Sequence, residues 1–316
     1  MFLLCFKKNQ TTKLTIIATH IVPSEVSGIR LSDYVSGIFP TIPTRKGMKK
    51  AIKEGMVLID GEVANTGRWV ATGQQIQLID LALPPAKIYQ FALPVIYEDE
   101  AIAVINKPAG IVVSGNQHRT VQNALAYNLT VSTAPDAFRI AKPVHRLDHA
   151  TSGLLLIAKT RKARVFLGEQ LETRQIQKRY QAVVVGKMEE SGLIEEPITG
   201  KASSTRFECI QTVRSLRDDY LSFVNLFPLT GRTHQLRIHL SSVEHAIVGD
   251  KLYGVAGKTL KGKGLFLCAV GLAFTHPTTK ETLTIKINAP AKFTSFMERA
   301  QRRWERMKNE EFVRRK

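Results

Sequence analysis

One carboxylate stands among basic side chains in HRLDHATSGLLLIAKT, residues 145–160, directly before an apolar run. Asp148 follows Arg146 by two positions and is the only acidic residue in this stretch. Such a carboxylate is a candidate reactive group, because it can act as a nucleophile or as a base toward a bound substrate. A simpler interpretation is a turn before a buried strand, in which Asp148 accepts hydrogen bonds from backbone amides. This stretch alone leaves both interpretations open.

Two further stretches combine polar side chains with a regular pattern. In KRYQAVVVG, residues 178–186, Tyr180 shares a strand face with every second residue, which more often means packing than catalysis. In TGRTHQLRIHL, residues 230–240, Thr230 is predicted to cap a helix with an apolar stripe. That stripe consists of Leu236, Leu240 and Val243, and the polar side chains of the first turns are Arg232, Thr233, His234 and Arg237.

The histidines suggest a metal site, but their surroundings do not favour one. The chain has eight histidines; His145 and His149 are four residues apart, and His234, His239 and His245 form a second group. Neither an HExxH motif nor a cysteine pair accompanies them, and neighbouring arginines repel a cation. The sequence also lacks glycine-rich phosphate loops and the GxSxG nucleophile elbow. We therefore expect neither a metal nor a nucleotide cofactor.

The charge of the chain favours a polyanionic partner. Lysine and arginine total 45 against 27 acidic residues, which gives a formal net charge of +18. An excess of this size favours nucleic acid or an anionic membrane surface. The apolar runs fall far short of the roughly 20 residues that span a bilayer, and the N-terminus lacks a signal-peptide pattern. Three scattered cysteines indicate a reducing, cytoplasmic location.

An α-α-β unit is predicted over residues 29–80. Apolar spacing indicates a first helix after Ile29, and TRKGMKKAIKEG indicates a second that ends at Gly55. The pair Asp60-Gly61 predicts a hairpin turn, and a further strand closes the unit. Given the net charge, phosphate contact is a better interpretation of the basic side of the second helix than a solvated face. The cations of that side are Arg45, Lys46, Lys49, Lys50 and Lys53.

Four other segments complete the predicted organisation. Residues 1–28 form an N-terminal extension, and residues 81–93 form a proline-containing linker. Strands and helices follow in irregular order over residues 94–295, which indicates an α+β domain with a mainly antiparallel mixed sheet. Residues 296–316 form a basic, helical tail.

Taken in order, the three chemical stretches closely resemble the motif regions of RluA-type pseudouridine synthases. They are HRLDHATSG, KRYQAVVVG and the region from TGRTHQLR to HAIVGDKLYG, and the preceding NKPAGIVVS resembles the entry motif of that family. The resemblance covers about residues 94–280 and implies the pseudouridine synthase fold. The unit at 29–80 is similar to an S4 RNA-binding domain. This two-domain order is similar to the branch of the family that modifies large-subunit ribosomal RNA.

The resemblance implies a reaction and the residues that perform it. Pseudouridine synthases isomerise uridine in RNA to its C-glycoside without a cofactor. Asp148 matches the essential aspartate, which acts as nucleophile or base at the sugar of a flipped-out uridine. Tyr180 matches the tyrosine that stacks on the uracil and is a candidate for removing the C5 proton. Arg237 matches the arginine expected to pair bidentately with Asp148 and so to offset the cost of burying its charge.

The resemblance also implies residues that bind the substrate. Arg146 matches the residue that fills the gap left by the flipped uridine. Leu267 matches an apolar residue of the base pocket, beside which Cys268 replaces the more common histidine. The other predicted substrate-binding residues are Arg232 and His234. Arg30 is predicted to bind RNA together with the cations of the second helix.

Two other functions are weighed against a uridine isomerase. One is an RNA-binding or ribosome-assembly protein that keeps the fold without turnover, and the other is a metal-dependent hydrolase that uses the histidines. The presence of Asp148, Tyr180 and Arg237 together argues against the first. Ribosomal RNA is the expected partner, transfer RNA is an alternative, and we expect a monomer.

Overall fold

A computed structural model describes residues 15–26, 28–80, 88–255 and 262–314. Contacts between Cα atoms divide the chain into two units, residues 1–87 and 88–316. Residues 1–14 of the predicted extension and residues 81–87 of the predicted linker lie outside the described residues. In the described ranges, no helix is long and apolar enough to cross a membrane.

The first unit consists of short strands around two helices. Its elements in chain order are β1 (Thr15–Ile21), β2 (Ile29–Arg30), α1 (Leu31–Tyr34), α2 (Arg45–Lys53), β3 (Val57–Ile59), β4 (Glu62–Val63), β5 (Trp69–Val70) and β6 (Gln75–Asp80). An antiparallel sheet has the strand order β1-β6-β3-β4, and β2 pairs separately with β5. The predicted hairpin turn joins β3 to β4, with positive φ at Asp60 and Gly61.

Helix α2 ends at Lys53, just before the predicted stop at Gly55, which has a φ of 75°. The Thr44 side chain accepts a hydrogen bond from the Gly47 amide at 3.1 Å, which caps the helix, and Met48, Ala51 and Ile52 are buried in the core of the first unit. Strand β1 lies in the predicted N-terminal extension, yet it pairs along β6. The folded part of this unit therefore begins before residue 29, because β1 supplies hydrogen bonds that β6 would otherwise lack.

The second unit is built around one large sheet. Its elements are β7 (Val95–Glu98), β8 (Ile102–Lys107), α3 (Val121–Asn128), β9 (Ala137–Pro143), β10 (Ser152–Thr160), α4 (Arg161–Glu172), β11 (Gln177–Val185), β12 (Ser191–Ile194), β13 (Thr205–Ser215), β14 (Asp219–Pro228), α5 (Gln235–Ser242), β15 (Leu267–Thr275), β16 (Thr282–Lys286) and α6 (Lys292–Arg314). The strand order is β12-β13-β14-β11-β15-β10-β8-β7, with β16 beside β15 and β9 beside β10.

All strand pairs in this sheet are antiparallel except β10 with β15, which are parallel. The predicted α+β class with a mainly antiparallel mixed sheet is therefore confirmed. The parallel pair is short, joining Ser152 to Cys268 and Gly153 to Ala269. It places the start of β10, directly after the loop with Asp148, beside the start of β15, where Leu267 lies.

Strand β10 is buried on both faces of the sheet, which explains its continuous apolar run. Leu155 and Ile157 belong to one core, to which α3, α5 and α6 contribute side chains. Leu154 and Leu156 belong to the core on the other face, to which α4 contributes. The loop that precedes β10 is therefore attached to the best-packed strand of the unit.

Helix α6 includes residues 296–314 of the predicted helical tail, but it begins at Lys292 rather than at residue 296. The reason is packing: Phe293 and Met297 are buried in the core that α3 and α5 also cover. The first turns of α6 thus belong to the folded second unit.

Candidate active site

A cavity of about 1020 Å³ in the second unit is lined by residues from all three predicted motif stretches. Asp148, Tyr180 and Arg237, the predicted catalytic residues, all line this cavity. The predicted substrate-binding residues line it as well: Arg146, Arg232, His234 and Leu267. The fold thus brings together side chains that lie far apart in the sequence.

Backbone hydrogen bonds fix the loop that carries Asp148 between β9 and β10. The Thr151 amide donates to the Asp148 carbonyl oxygen at 3.1 Å, and the Gly110 amide donates to the His149 carbonyl oxygen at 2.8 Å. The Asp148 side chain remains accessible from the cavity, with 20% of its surface exposed. The loop is held by its main chain, which leaves the carboxylate available for a substrate.

Lys107 attaches the same loop to strand β8. This side chain is fully buried, and its Nζ donates to the carbonyl oxygens of Pro108 and Ile111 at 2.9 Å each and of His149 at 3.4 Å. Burial lowers the pKa of Lys107 to about 8, although the negative charge of Asp148 acts in the opposite direction. Lys107 was not among the predicted site residues. The feature that could have indicated its role is a single lysine at the end of an apolar strand.

The bidentate partner of Arg237 is Asp250, and not Asp148 as the sequence predicts. Nε and Nη2 of Arg237 donate to the two Asp250 carboxylate oxygens at 2.7 Å each, whereas Nη1 lies 3.9 Å from Oδ2 of Asp148. Asp250 is buried and also accepts hydrogen bonds from the amides of Leu252 and Tyr253. The turn after α5 therefore supplies the carboxylate that orients Arg237. Asp148 forms a longer ion pair with the same guanidinium.

The charges in this network stabilise one another. Burial alone would lower the pKa of Arg237, but hydrogen bonding and the charge of Asp250, together with the charge of Asp148, raise it. Burial would raise the pKa of Asp250, and the hydrogen bonds from Arg237 and from the backbone amides lower it. Arg237 is thus a permanent cation at the cavity wall, fixed in direction by a buried anion.

His234 forms the second contact of Asp148. Its Nε2 lies 3.8 Å from Oδ1 of Asp148, and its Nδ1 lies 3.0 Å from the Tyr253 hydroxyl. The 3.8 Å and 3.9 Å separations to His234 and Arg237 are both longer than a hydrogen bond. The carboxylate therefore faces two ordered polar groups and keeps room for hydrogen bonds to a substrate.

The start of helix α5 differs from the sequence prediction. The helix begins at Gln235, after His234 in the left-handed conformation with φ of 56°. Thr230 does not cap it; its hydroxyl donates to Oε1 of Gln235 at 2.7 Å and accepts from the Ser204 amide. Val243, predicted on the apolar stripe, lies at the end of the helix and is 38% exposed. The left-handed residue turns the His234 ring toward Asp148 and Tyr253.

Tyr180 and Leu267 form an apolar wall of the cavity. Both side chains are buried, at 9% and 3% exposed, and they lie on adjacent strands β11 and β15. Burial, followed by the charge of Asp148, raises the pKa of the Tyr180 phenol. The phenol therefore stays protonated at neutral pH, and its ring offers a flat surface to a base.

The remaining predicted residues of the cavity differ in how firmly they are held. Arg146 is exposed, and its guanidinium makes no hydrogen bond or ion pair with a described residue. Arg232 donates to the Ala202 carbonyl oxygen through Nε and Nη2 at 3.3 Å. His145 accepts from the Leu156 amide at 3.2 Å through Nε2, and burial lowers its pKa to about 3. His145 is therefore neutral and ties the loop to β10.

The predicted RNA-binding cations lie in the first unit. Arg30 is exposed and packs over the Trp69 ring at 5.6 Å. Arg45 forms an ion pair with Asp33, and Lys50 lies 3.7 Å from Glu54. The structure places the other three at exposed or half-buried positions of α2, without an ion pair to any described residue: Lys46, Lys49 and Lys53.

The described residues include no group of three or more His, Cys, Asp or Glu side chains that could hold a metal ion. The cavity instead combines the accessible carboxylate of Asp148 and an exposed Glu172 with several cations and an aromatic wall. Such a set suits an anionic substrate with a flat ring, on which a carboxylate acts as nucleophile or base.

Comparison with known proteins relates this cavity to a family. A family model described as RNA pseudouridylate synthase matches residues 101–242. Ribosomal large subunit pseudouridine synthase D of Xanthomonas campestris is 33% identical over 303 residues, which cover 85% of this chain and 88% of that protein. The Yersinia pestis protein of the same name is 31% identical over 278 residues, with 81% and 82% covered.

A solved structure is also similar to this chain in fold. Human RNA Pseudouridylate Synthase Domain Containing 1 matches with a TM-score of 0.53 and 27% sequence identity, covering 63% of this chain and 84% of that one. The residues matched by the family model include Asp148, Tyr180 and Arg237.

Proposed function

This chain belongs to the RluA-type family of RNA pseudouridine synthases and is an isomerase that acts on RNA, and we propose that it modifies large-subunit ribosomal RNA through Asp148. The observation that carries the proposal is the position of Asp148 in the cavity. Its carboxylate lies 3.9 Å from the fixed guanidinium of Arg237 and 3.8 Å from His234, without a closer donor in the described structure.

In the proposed reaction, Asp148 acts at the ribose of a uridine that has left the base stack. The bond between C1′ and N1 breaks, the uracil turns, and C5 forms the new bond to C1′. The proton on C5 is lost and N1 gains one, so the reaction needs no oxidant or other reactant. Because C1′ is inaccessible in a stacked helix, we assign Arg146 to the gap left by the flipped uridine.

The cavity wall suits the other proposed roles. Arg237 stabilises the negative charge near the ribose, and Tyr180 and Leu267 hold the uracil ring. Since the pKa of Tyr180 is raised, its phenolate is scarce at neutral pH, which favours stacking over proton removal by that anion. Arg232 and His234 complete the proposed substrate contacts.

The first unit is proposed to be an S4-like RNA-binding domain. Its exposed α2 cations and Arg30 would contact phosphates outside the cavity. The proposed domain limits remain 29–80, with β1 added, and 94–295. A ribosomal RNA substrate also supports a cytoplasmic location, and we propose a monomer.

Release of tritium from RNA labelled at C5 of uridine tests the proposal, without added metal or nucleotide. We expect release from large-subunit ribosomal RNA with the unaltered protein and no release with Asp148→Asn. This variant should fold, because no described hydrogen bond depends on the carboxylate. Equal release by both proteins would refute the role of Asp148. RNA binding without release would instead favour the non-catalytic alternative, and release only from transfer RNA would change the substrate.

A further inference from the structure

Two half-buried cations of the second unit, Lys178 and Arg164, have no ion-pair partner in the described part of the chain. Lys178 lies on β11 two residues before Tyr180, is half-buried and lines the cavity that contains Asp148. Arg164 lies in the first turns of α4 and is also half-buried. Neither side chain makes a hydrogen bond or an ion pair with another described residue.

Both cations act on one histidine of the active-site loop. Burial lowers the pKa of Lys178 and that of Arg164. The pKa of His145 is lowered first by its own burial and then by the positive charges of Lys178 and Arg164. Both charges therefore act on the ring at the start of HRLDHATSG.

Four other buried or half-buried cations of the second unit are compensated. Lys159 lies 2.8 Å from Oε1 of Glu98, and Lys107 donates to three carbonyl oxygens. Arg237 pairs with Asp250, and Lys292 donates to the carbonyl oxygens of residues 263 and 265. Leaving a partly buried cation unpaired costs free energy, so an unpaired lysine in the cavity wall indicates that its counter-charge comes from a ligand.

We propose that Lys178 binds a backbone phosphate of the RNA next to the uridine in the cavity. The inference rests on the proposed function, because it takes RNA as the ligand. A phosphate carries the negative charge that offsets the lysine, whereas a neutral uracil oxygen could accept only a hydrogen bond. Lys178 precedes the base-stacking Tyr180 by two residues on one strand face, so a phosphate there lies within one nucleotide of the base.

If Lys178 binds one particular phosphate, removing the charge of the lysine and removing the charge of that phosphate should have non-additive effects on the Kd. The probe is a set of large-subunit ribosomal RNA stem-loops, each with one phosphate near the target uridine replaced by a neutral methylphosphonate. For the unaltered protein, we expect one replacement to raise the Kd by about tenfold, the effect of one charge-assisted contact. Lys178→Met should raise the Kd of unmodified RNA similarly and should lose sensitivity to that one replacement. The salt dependence of log Kd should also decrease by about one.

Controls separate this contact from general effects of charge and folding. Lys187→Met removes an exposed lysine outside the cavity lining and should leave every Kd unchanged. Lys178→Arg should restore sensitivity to the methylphosphonate. Lys178→Met should unfold at a temperature no lower than that of the unaltered protein, since it removes a partly buried charge. If Lys178→Met and each replacement weaken binding independently, the proposal is wrong. Because the readout is Kd, missing turnover would refute the proposed function and still leave this contact testable.

Discussion

At the scale of single residues, Arg237 has two carboxylates within reach and uses them differently. Asp250 receives both short hydrogen bonds and is shielded from solvent, whereas Asp148 is 3.9 Å away and accessible from the cavity. An arginine shared in this way is oriented by the buried partner. The carboxylate of Asp148 then does not use its own hydrogen-bonding capacity to hold the arginine.

Replacing Asp250 tests this division of roles. Asp250→Asn keeps the size of the side chain but leaves the buried guanidinium without its anion, so we expect the free energy of unfolding to decrease by about 3 kcal/mol. The kcat for tritium release should fall while the Kd for RNA changes little. The control is Asp219→Asn, at an exposed position, which should affect neither quantity. Normal kcat in Asp250→Asn would show that Asp250 does not orient Arg237.

Lys107 predicts a pH dependence of stability. Its pKa is about 8 in the folded chain and about 10.5 when unfolded, so between these values the unfolded state holds more protons. Stability therefore rises with pH through this window, and we expect a gain of about 2 kcal/mol from pH 7 to 9.5. Lys107→Met should lack this gain. Urea unfolding followed by Trp304 fluorescence, in a Trp69→Phe background, measures it in the second unit.

Two conditions make the Lys107 measurement specific. The pH must stay below 10. The pKa of Tyr97 is raised from its ordinary value of 10 to about 12 in the folded chain, so above pH 10 the unfolded state loses this proton first and stability decreases. Lys187→Met serves as the comparison and should keep the full gain, since Lys187 is exposed. The same pH dependence in Lys107→Met and in the unaltered protein would contradict the assignment.

At the scale of elements, the parallel pairing of β10 with β15 brings the Asp148 loop and the Leu267 wall together. This pairing depends on Gly153, which has a φ of +114°. A Cβ atom at this position would lie 2.2 Å from the Ala269 carbonyl oxygen. Only glycine allows the two backbones to approach this closely. The site geometry therefore depends on a residue that carries no side chain.

Gly153→Ala should consequently destabilise the second unit by about 3 kcal/mol or more, through backbone overlap and strain. The matched control is Gly168→Ala in helix α4, where a Cβ meets nothing within 4 Å. It should stabilise the chain by about 0.5 to 1 kcal/mol. Thermal unfolding of both variants measures the contrast. Equal unfolding temperatures would mean that the β10–β15 junction can relax.

Some features of the fold and of the cavity can be predicted from the sequence, and others cannot. Local patterns predicted β10, β11, the end of α2 at Gly55 and the hairpin at Asp60-Gly61, because each depends on neighbouring residues. The motif strings predicted which side chains meet in the cavity. The partner of Arg237, the pairing of β1 with β6 and the left-handed His234 were missed. These features depend on contacts between distant segments, and spacing along the chain carries no measure of their distances.

At the scale of the whole molecule, the net charge of +18 is distributed between two tasks. We infer that cations of the cavity act on one nucleotide and that the α2 cations of the first unit bind phosphates elsewhere in the RNA. Contacts of the second kind contribute mainly to affinity, and their contribution weakens as salt increases. Separate measurements of kcat and Kd therefore distinguish the two groups.

Replacing Lys46, Lys49 and Lys53 together by glutamine tests the inferred task of α2. These lysines have no ion pair within the described structure, so their loss should leave the fold intact. We expect a higher Kd for ribosomal RNA, a salt dependence of log Kd reduced by up to about three, and an unchanged kcat at saturating RNA. Arg237→Ala should do the reverse, with a large loss of kcat and a small change in Kd.

Net charge alone could also weaken RNA binding, and a second triple variant separates this effect from a specific surface. Replacing Lys187, Lys263 and Lys286 by glutamine removes the same charge from exposed positions of the second unit. If α2 is the phosphate-binding surface, this variant binds RNA more tightly than the α2 variant at every salt concentration. Equal Kd values for the two variants would mean that the protein attracts RNA through its overall field, and that the first unit has another role.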